Sequence, residues 1–484
     1  MTSDRPVRTR FAPSPSGTLH LGNMRSALFA WAFARHHRGT FILRIEDTDA
    51  RRSSPKVIET ILESLSWLEL SPDEGPYLQS ERTRRYADTL EQLLDEGNAY
   101  RCYMTPTELD QLRVELRVRG LKPRYDGRWR PEPGKTLPPP PNGVFPVIRF
   151  KTPSTGSVEW EDVVKGRVKF ANSELDDLVI ARSDGSPTYN LCVVVDDIDM
   201  RISHVIRGDD HVNNTSRQIH LFRALGATPP VFAHLPTILD QVGAKMSKRA
   251  GALSVLELRD EGYLPEAVVN FLARLGWAHG DSEIFTRDEF IEWFDLDGVG
   301  RSPARFDPAK LAWLNGCYIR SSGDDRLAHL VQPFLSSMDE KSISGNLSDA
   351  CRLWKDRAAT LKMLAESLVS LYRPPELDAK ALESKISPRA IPAISTLARE
   401  LSQCTWTPDA IKTAIATLAY NAQLPISALG APLRLLITGD LRSPPIERVL
   451  AVLPRDLVIN RVQRGLVMLG GDIEKSLGEP RSAS

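Results

Sequence analysis

Near the start of the chain, a stretch rich in proline, glycine and small polar residues separates two apolar segments. It runs from Phe11 to Asn23 and reads FAPSPSGTLHLGN. Its prolines end the preceding apolar strand, an apolar helical pattern begins near Arg25 and stops near Gly39, and 40–45 reads as a second strand. This order predicts a strand-helix-strand unit, with the loop at the carboxyl end of the first strand, where open α/β sheets bind ligands.

The composition of this loop favours a phosphate group as the ligand. Gly17 and Gly22 lack the Cβ atoms that would hold the backbone away from a nucleotide, and the next helix directs its free N–H groups to the same place. His20 lies between them. A single histidine near two glycines is also typical of an ordinary loop, so the interpretation depends on further motifs.

Composition excludes several other classes of protein. The chain has 484 residues, 42% hydrophobic and 26% charged, which is typical of about two to four globular domains. No apolar run approaches the roughly 18 residues of a membrane span, and the first residues lack the apolar core of a secretory signal. The five cysteines are scattered without a Cys-x-x-Cys pair, so we expect a reduced chain in the cytoplasm.

After the first unit, the pattern changes twice. Helical patterns at 55–69 and 81–97 flank a cluster of turn residues at 72–76. From about 98 to 185 the sequence reads as short strands and one helix, broken by a proline-rich run at 131–143 that predicts an exposed extended loop. We interpret 98–185 as an insertion between two halves of the sheet.

The second half of the sheet is predicted from apolar segments. The nearly continuous run 188–195 and the run 203–206 are typical of strands covered on both faces. A helix from about 214 to 226 and a strand at 231–239 are expected next. Beyond 250 the pattern is helical, including a helix with proline in its first turn at 265–276. In the last part, the expected core positions include Leu353, Leu361, Leu368 and Leu371.

A basic segment lies inside the predicted insertion. Lys plus Arg and Asp plus Glu both number 62 over the whole chain, but between 113 and 130 seven basic residues accompany only Glu115 and Asp126. Tyr125 and Trp129 are interleaved, so we predict a surface that contacts phosphates and stacks on exposed bases; a solvated helix face is the alternative. The basic residues are Arg113, Arg117, Arg119, Lys122, Arg124, Arg128 and Arg130.

Several motifs together resemble one protein family. His20-Leu-Gly-Asn23 resembles the first signature of the class I aminoacyl-tRNA synthetases, and Lys245-Met-Ser-Lys-Arg249 resembles the second. Asn23 and Arg249 depart from the general class pattern in a way familiar in its glutamyl branch. Further motifs narrow the resemblance to bacterial glutamyl-tRNA synthetases over essentially the whole chain, at 10–15, 44–49, 187–190, 205–211 and 262–266.

The resemblance implies an α/β fold with a Rossmann-type nucleotide-binding catalytic domain, an inserted acceptor-binding α+β subdomain and an all-α C-terminal anticodon-binding region. The expected divisions are 1–97 and 186–240 for the two catalytic halves, 98–185 for the acceptor-stem insertion, 241–321 for a helical stem-contact region with the lysine loop, and 322–484 for the anticodon-binding domain.

The resemblance also implies a reaction and its residues. Glutamate would be activated with ATP to glutamyl-adenylate, with release of pyrophosphate, and transferred to the 3′-terminal adenosine of tRNA(Glu). The expected catalytic residues are His20, Lys245 and Lys248. The expected ATP contacts are Pro13, Ser16, Gly17, His20, Gly22, Asn23, Asp210, Leu235, Lys245, Met246, Ser247, Lys248 and Arg249. The expected glutamate contacts are Arg10, Ala12, Ser14, Glu46, Tyr189 and Arg207. The expected tRNA contacts are Arg117, Arg119, Arg124 and Arg357.

These residue types suit the chemistry. An arginine fork meets a carboxylate with two parallel hydrogen bonds, and lysines can neutralise a departing pyrophosphate. The structural alternatives are a basic solvent-exposed loop at 245–249, and ion pairs of Arg44 with Glu46 or Arg207 with Asp209.

Arg357 matches an arginine that reads the third anticodon base in relatives restricted to tRNA(Glu), so we expect discrimination against tRNA(Gln). Arginine donates but cannot accept hydrogen bonds, and it can therefore favour one pattern of base edges. A helix-surface arginine paired with Asp356 is the alternative.

Many relatives hold a zinc knuckle in the insertion. Here Cys102 is followed by Met104 where the pattern has a second cysteine, and Trp129 follows the Tyr125-Asp-Gly-Arg128 motif, so only one thiolate remains. We therefore predict no zinc. The expected cofactor is ATP with Mg²⁺, and the expected partners are tRNA(Glu) and L-glutamate, for a monomer that has no membrane partner.

Four other classes of protein compete with this interpretation. A shorter tRNA-modifying paralogue lacks the helical C-terminal half, and glutaminyl-tRNA synthetases typically carry a β-barrel there. Small nucleotidyltransferases lack both the insertion and that half. A tRNA-binding protein without activity would not need both signatures.

Overall fold

The computed structural model contains two compact units. The described residues are 6–15, 19–48, 53–246, 254–338 and 346–470. The first unit comprises Met1–Leu258 and Val268–Pro308, and the second comprises Arg259–Ala267 and Ala309–Ser484.

The strands of the first unit are β1 (Arg8–Phe11), β2 (Thr40–Ile45), β3 (Glu74–Leu78), β4 (Ala99–Cys102), β5 (Val147–Phe150), β6 (Ser157–Asp162), β7 (Gly166–Ala171), β8 (Val179–Ala181), β9 (His204–Gly208), β10 (Val231–Leu235), β11 (Ile238–Leu239) and β12 (Ala304–Arg305). The helices up to residue 293 are α1 (Leu21–His36), α2 (Pro55–Trp67), α3 (Thr83–Asp95), α4 (Pro106–Val118), α5 (Tyr189–Asp199), α6 (Val212–Ala224), α7 (Val255–Asp260), α8 (Pro265–Arg274) and α9 (Arg287–Trp293).

A Rossmann-type parallel core organises the first unit. β1 pairs in parallel with β2, and β2 with β3; β9 pairs in parallel with β10, and β10 with β6. The two groups adjoin where Ser203 N donates to Arg8 O at 2.9 Å and Arg8 N donates to Ser203 Oγ at 2.7 Å. The predicted strand-helix-strand unit is confirmed as β1, α1 and β2, and the predicted helices near 55–69, 81–97 and 214–226 correspond to α2, α3 and α6.

The prediction of a strand at 188–195 was wrong, because this segment begins helix α5. Leu191 and Val194 are fully buried, as most of the run is. A short apolar run buried on all sides has the same appearance in a strand and in a helix, so periodicity cannot separate them. The helical conformation carries Asp196 and Asp197 into the interior, where arginine side chains neutralise both.

Prolines account for two further differences from the sequence prediction. The predicted turn cluster at 72–76 overlaps β3, in which Pro76 is tolerated because β3 lies at the edge of its sheet and the pairing register shifts beside it. The strand predicted at 231–239 is divided into β10 and β11, because Pro236 lies between them and cannot donate to a strand ladder.

The predicted insertion contains two sheets. β4, β5 and β8 form a separate antiparallel sheet. In contrast, β6 and β7 form an antiparallel hairpin whose first strand pairs with β10 of the parallel core, with Asp162 opposite Phe232. This pairing brings Asp162 beside His234 of β10.

The aromatic residues of the basic segment are not available to stack on bases, which corrects the sequence prediction. Tyr125 and Trp129 are only 5% and 8% exposed and pack in an apolar cluster with Cys102 and Met104. The Tyr125 hydroxyl accepts a hydrogen bond from Trp129 N at 2.8 Å, and the Arg149 guanidinium lies 4.0 Å from the centre of the Tyr125 ring. These rings therefore stabilise the insertion from within.

The second unit is helical, as predicted. Its further helices are α10 (Pro308–Ser321), α11 (Asp324–Ser337), α12 (Leu347–Trp354), α13 (Leu361–Tyr372), α14 (Ala379–Lys385), α15 (Ile391–Gln403), α16 (Pro408–Asn421), α17 (Ser427–Thr438), α18 (Ile446–Val452) and α19 (Arg455–Met468). Leu361, Leu368 and Leu371 are buried in its core, and Leu353 packs partly buried against it. Among the described helices, none combines the length and the apolar character needed to cross a membrane.

Candidate active site

A cavity of about 440 Å³ lies at the carboxyl ends of β1 and β9, beside the first turns of α1 and α5. Parallel strands meet their following helices here, so backbone N–H groups and polar side chains from separate segments converge. The volume is typical of a small-ligand site.

Most of the predicted glutamate and ATP contacts line this cavity. The lining includes Arg10, Ala12, Pro13, Ser14, His20, Gly22, Asn23, Glu46, Tyr189, Arg207, Asp210 and Lys245. Leu235 is fully buried, and neither it nor Met246 belongs to the lining. Ser16, Gly17, Ser247, Lys248 and Arg249 lie outside the described residues. Thr237 and His211 also line the cavity and were missed, because neither has a recognisable role from sequence alone.

His20 lies at the N-terminal cap of α1, at the rim of the cavity. Its Nδ1 accepts a hydrogen bond from Asn23 N at 3.4 Å, which satisfies one N–H group of the first helical turn. A Cβ atom on Gly22 would lie 3.0 Å from the imidazole. Any larger residue at position 22 would therefore crowd the His20 ring.

The side of the cavity that carries Lys245 and Asp210 is open to solvent. The Lys245 Nζ lies 3.6 Å from the Asp210 carboxylate, and the two side chains are 63% and 57% exposed. Gly208 precedes this pair, and a Cβ atom there would lie only 2.6 Å from Asp210 Oδ1. An exposed ion pair of this kind contributes little stability, so Lys245 can exchange its partner for an anionic ligand at low cost.

A chain of hydrogen bonds fixes Arg207 at the opposite side. His234 Nδ1 lies 2.5 Å from Asp162 Oδ2, so Nδ1 carries the proton and His234 Nε2 is left as an acceptor. His234 Nε2 accepts a hydrogen bond from Arg207 Nε at 3.2 Å. Arg207 Nη2 donates to Thr215 Oγ1 at 2.7 Å and to Gln218 Oε1 at 2.8 Å. Its Nη1 is buried and makes no hydrogen bond within the described residues. That buried donor is suited to a carboxylate ligand.

Arg10 is held by a buried carboxylate. Its Nε donates to Asp197 Oδ1 at 3.2 Å, and Arg44 Nη1 lies 2.8 Å from the same oxygen. Burial acts to raise the pKa of Asp197, but the two guanidinium groups outweigh it and hold the pKa below its usual range. Arg10 also lines the cavity, so this contact anchors a guanidinium at the wall of the ligand site.

Glu46 is a buried carboxylate in the cavity wall. Burial raises its pKa to about 7, and the nearby guanidinium groups of Arg44 and Arg10 oppose that shift. Arg44 Nη2 lies 3.6 Å from Glu46 Oε1, so the predicted structural ion pair exists. The alternative pair of Arg207 with Asp209 is absent among the described residues. Asp209 instead accepts hydrogen bonds from Lys165 and Thr237, each at 2.8 Å.

Tyr189 and His211 form a neutral polar pair near the two arginines. The Tyr189 hydroxyl lies 3.1 Å from His211 Nδ1. Burial raises the pKa of Tyr189 to about 12, and burial lowers the pKa of His211 to about 4, helped by the positive charge of Arg207. Both groups are therefore uncharged near neutral pH and add hydrogen bonds without adding charge.

The basic segment divides into paired and unpaired residues. Lys122 is 2.5 Å from Glu174, Arg128 lies 3.0 Å from Asp126, and Arg124 donates to Ser173 O. Arg117 and Arg119 are exposed at the end of α4 and have no ion pair within the described residues. The predicted tRNA contacts therefore differ in how readily they could bind a phosphate.

Arg357 ends a short 3₁₀ turn in the second unit. Its Nη1 donates to the carbonyl oxygen of Arg442, and no ion pair with Asp356 exists among the described residues. Arg357 lines a cavity of about 360 Å³ with Trp354 and Met363, among others. The carbonyl contact engages one nitrogen of the guanidinium.

Two family models match the chain. The model "tRNA synthetases class I (E and Q), catalytic domain" matches residues 6–313, and "Anticodon binding domain" matches residues 326–466. The α/β core and the helical unit are thus those of a class I tRNA synthetase, and the helical unit excludes the paralogue that lacks it.

Within this class, individual relatives of the chain are glutamate–tRNA ligases. A glutamate–tRNA ligase of Burkholderia multivorans is 56% identical over 96% of this chain and 99% of its own length, and one of Cupriavidus taiwanensis is 56% identical over 94% and 98%. The crystal structure of a glutamate tRNA ligase from Elizabethkingia meningosepticum in complex with its amino acid is 33% identical, with a TM-score of 0.86 over 96% of this chain and 100% of that one. The chain belongs to the glutamate–tRNA ligase family.

Proposed function

We propose that this chain activates L-glutamate with ATP and transfers it to the 3′-terminal adenosine of tRNA(Glu). The observation that carries the proposal is the convergence of Arg10, Arg207 and Glu46 on one cavity beside the N-terminus of α1. Two guanidinium groups match the two carboxylates of glutamate, and Glu46 matches its ammonium group. Ala12, Ser14 and Tyr189 complete this side of the cavity.

The arrangement favours glutamate over glutamine. A neutral amide could accept a hydrogen bond from the free Arg207 nitrogen but carries no negative charge. The buried Arg207 cation would then lack a counter-charge, which costs more than the loss of one methylene contact. Arg207 is also fixed through His234 and Asp162, so it cannot turn away to find another acceptor.

The exposed side of the cavity suits ATP. In-line attack of the glutamate carboxylate on the α-phosphate requires positioning and stabilisation of phosphate charge rather than covalent help. His20 and the first turn of α1 would contact the phosphates. Lys245, together with Lys248 three positions further along the sequence, would neutralise the leaving pyrophosphate. The Asp210 carboxylate suits the Mg²⁺ ion that accompanies ATP.

For tRNA, we assign the acceptor end to the insertion at 98–185 and the anticodon to the helical domain from 322 onward. Arg117, Arg119 and Arg124 would contact the phosphates of the acceptor end. Arg357 would read the third anticodon base, which is C in tRNA(Glu) and G in tRNA(Gln). In Arg357→Gln, we expect that preference to relax while glutamate activation is kept; equal charging of both tRNAs by the unmodified protein would contradict the assignment.

We also propose a compartment, an oligomeric state and a metal content for this protein. All five cysteines are unpaired, which fits a reducing environment, and we propose that the protein acts in the cytoplasm. We also propose that it is a monomer. We propose no zinc at the insertion, because the knuckle positions Cys102, Met104 and Trp129 pack against one another in an apolar cluster. Exchange of Cys102 for serine should leave the metal content of the purified protein unchanged.

The main proposal is tested by aminoacylation of unfractionated tRNA with each amino acid in turn. We expect charging with glutamate alone, followed by recovery of tRNA(Glu) as the charged species. Charging with glutamine, or no charging with glutamate in the presence of ATP and Mg²⁺, would contradict it.

A further inference from the structure

We propose that His36, His37 and Asp295 form a binding site for a divalent transition-metal cation such as Zn²⁺. Each residue offers one ligand atom, and these atoms lie within 4.8 Å of one another. Tetrahedral zinc ligands at about 2.0–2.2 Å from the metal are about 3.4 Å apart, so small side-chain rotations close the site. Imidazole nitrogen and carboxylate oxygen are donors that zinc accepts.

The site is separate from the catalytic cavity. His36 and His37 lie at the C-terminal end of α1, whereas the first turn of the same helix lines the cavity. A helix of this length spans about 24 Å. A metal here therefore cannot take part in the chemistry of the cavity. With three protein ligands it would take a water molecule as the fourth, and we infer that it would link the end of α1 to the segment that carries Asp295.

Contacts behind the ligands support the assignment. His36 Nδ1 lies 2.9 Å from the carbonyl oxygen of Ile291, so Nδ1 carries the proton and Nε2 is left to bind a metal. Metal-binding histidines usually donate their other ring N–H in this way, which fixes the tautomer and the ring orientation. Asp295 Oδ1 accepts a hydrogen bond from Leu296 N at 2.6 Å, which holds the carboxylate in place and leaves its second oxygen available.

Aromatic packing keeps the two histidine rings close to each other. The His37 ring meets the edge of Phe33 with centroids 4.3 Å apart and lies perpendicular to His36 at 4.8 Å. The residue next to Asp295 is also anchored to α1, because the Phe294 and Phe29 rings are 5.0 Å apart. The two chain segments that supply the ligands are therefore already packed together, and a cation would link them further.

This site is distinct from the family's zinc knuckle, whose positions lie in the insertion at 98–185. The prediction of no zinc rested on missing thiolates in the insertion, and it did not consider histidine ligands. His36 and His37 are far from Asp295 in the sequence, and only the fold places the carboxylate beside the two imidazoles.

The test is calorimetric titration of chelator-treated, full-length protein with Zn²⁺, together with the absorption spectrum of the Co²⁺ complex. We expect one saturable site for which His37→Gln and Asp295→Asn each weaken affinity at least about tenfold. His37 is exposed, and asparagine retains an acceptor for Leu296 N, so both variants should fold. The matched control is His279→Gln, which removes an exposed histidine of the same unit outside the cluster.

We also expect Zn²⁺ to raise the melting temperature of the unmodified protein but not that of His37→Gln, because a ligand that binds only the folded state stabilises it. Aminoacylation by His37→Gln should remain at the wild-type rate, since the site is remote from the cavity. No saturable binding by the unmodified protein, or an unchanged affinity in His37→Gln and Asp295→Asn, would overturn the proposal.

Discussion

The two sides of the catalytic cavity are built differently. On one side, Arg10, Arg207 and Glu46 are at most 9% exposed, and other buried side chains orient the two arginines. On the other, Lys245 and Asp210 are more than half exposed and meet only across 3.6 Å. The comparison indicates that discrimination between amino acids depends on rigid, desolvated groups, whereas phosphate binding uses charges that water can satisfy until ATP arrives.

Burial also changes what each charge can do. A desolvated guanidinium is costly to leave without a partner, so it discriminates strongly between a carboxylate and an amide. An exposed lysine loses little when its partner leaves, so it contributes charge but little selectivity. Changes on the buried side should therefore alter glutamate use selectively, and changes on the exposed side should alter ATP use.

The largest effect is expected for Arg207→Gln. Loss of one partner of a buried charge pair costs about 3–5 kcal/mol, so kcat/KM for glutamate should fall about 10²–10³-fold or more. The KM for ATP should change little, as measured by pyrophosphate exchange at saturating glutamate. Arg223→Gln, an exposed change on the same helix as Thr215 and Gln218, is the control and should have no effect. Equal losses in glutamate and ATP use would remove the contrast between the two sides.

The complementary variant on the exposed side is Lys245→Ala. We expect slow adenylate formation, with an unchanged free energy of unfolding, because this side chain is 63% exposed. A selective rise in the KM for glutamate would show instead that Lys245 serves the amino acid.

A smaller effect is expected for Asp162→Asn, which acts on Arg207 through His234. Loss of the carboxylate should free the imidazole and misplace the guanidinium, and misplacement by about 1 Å can cost up to roughly 10²-fold. We expect the KM for glutamate to rise about tenfold or more, with a near-normal KM for ATP. A uniform loss of activity with a lower melting temperature would indicate a purely structural role for Asp162.

The pH dependence should follow Glu46. Burial raises its pKa to about 7, so the carboxylate that accepts the ammonium group becomes protonated as the pH falls through 7. Glutamate affinity should therefore be fully present above this pH and fall by about tenfold between pH 8 and pH 6. In Glu46→Gln, affinity should be low and nearly independent of pH over this range. An unmodified protein with a flat profile would place the ammonium group elsewhere.

The mildest effect is expected for the exposed arginines of the insertion. Neutralising Arg117, Arg119 and Arg124 together should raise the KM for tRNA and flatten its salt dependence, since each phosphate contact releases counterions. The matched control replaces three exposed arginines elsewhere in the first unit, Arg38, Arg201 and Arg223. If both triple variants show the wild-type salt slope, the basic segment is a solvated helix face.

Local sequence predicted the elements whose pattern is distinctive. The βαβ unit, the helices α2 and α3 and the helical second unit were all predicted, because amphipathic periods, prolines and glycines act within a few residues of one another. The segment at 188–195 was misassigned because its burial on all sides conceals its period.

The sequence alone therefore determined which residues belong to the family motifs and which segments could form helices or strands. Only the tertiary structure decided which charges are buried together. Asp162 meets His234 because β6 pairs with β10, and Glu46 has a raised pKa because the folded core excludes water from it. Such pairings join residues far apart in the chain, and desolvation depends on every surrounding segment, so neither property is encoded in any local stretch of sequence.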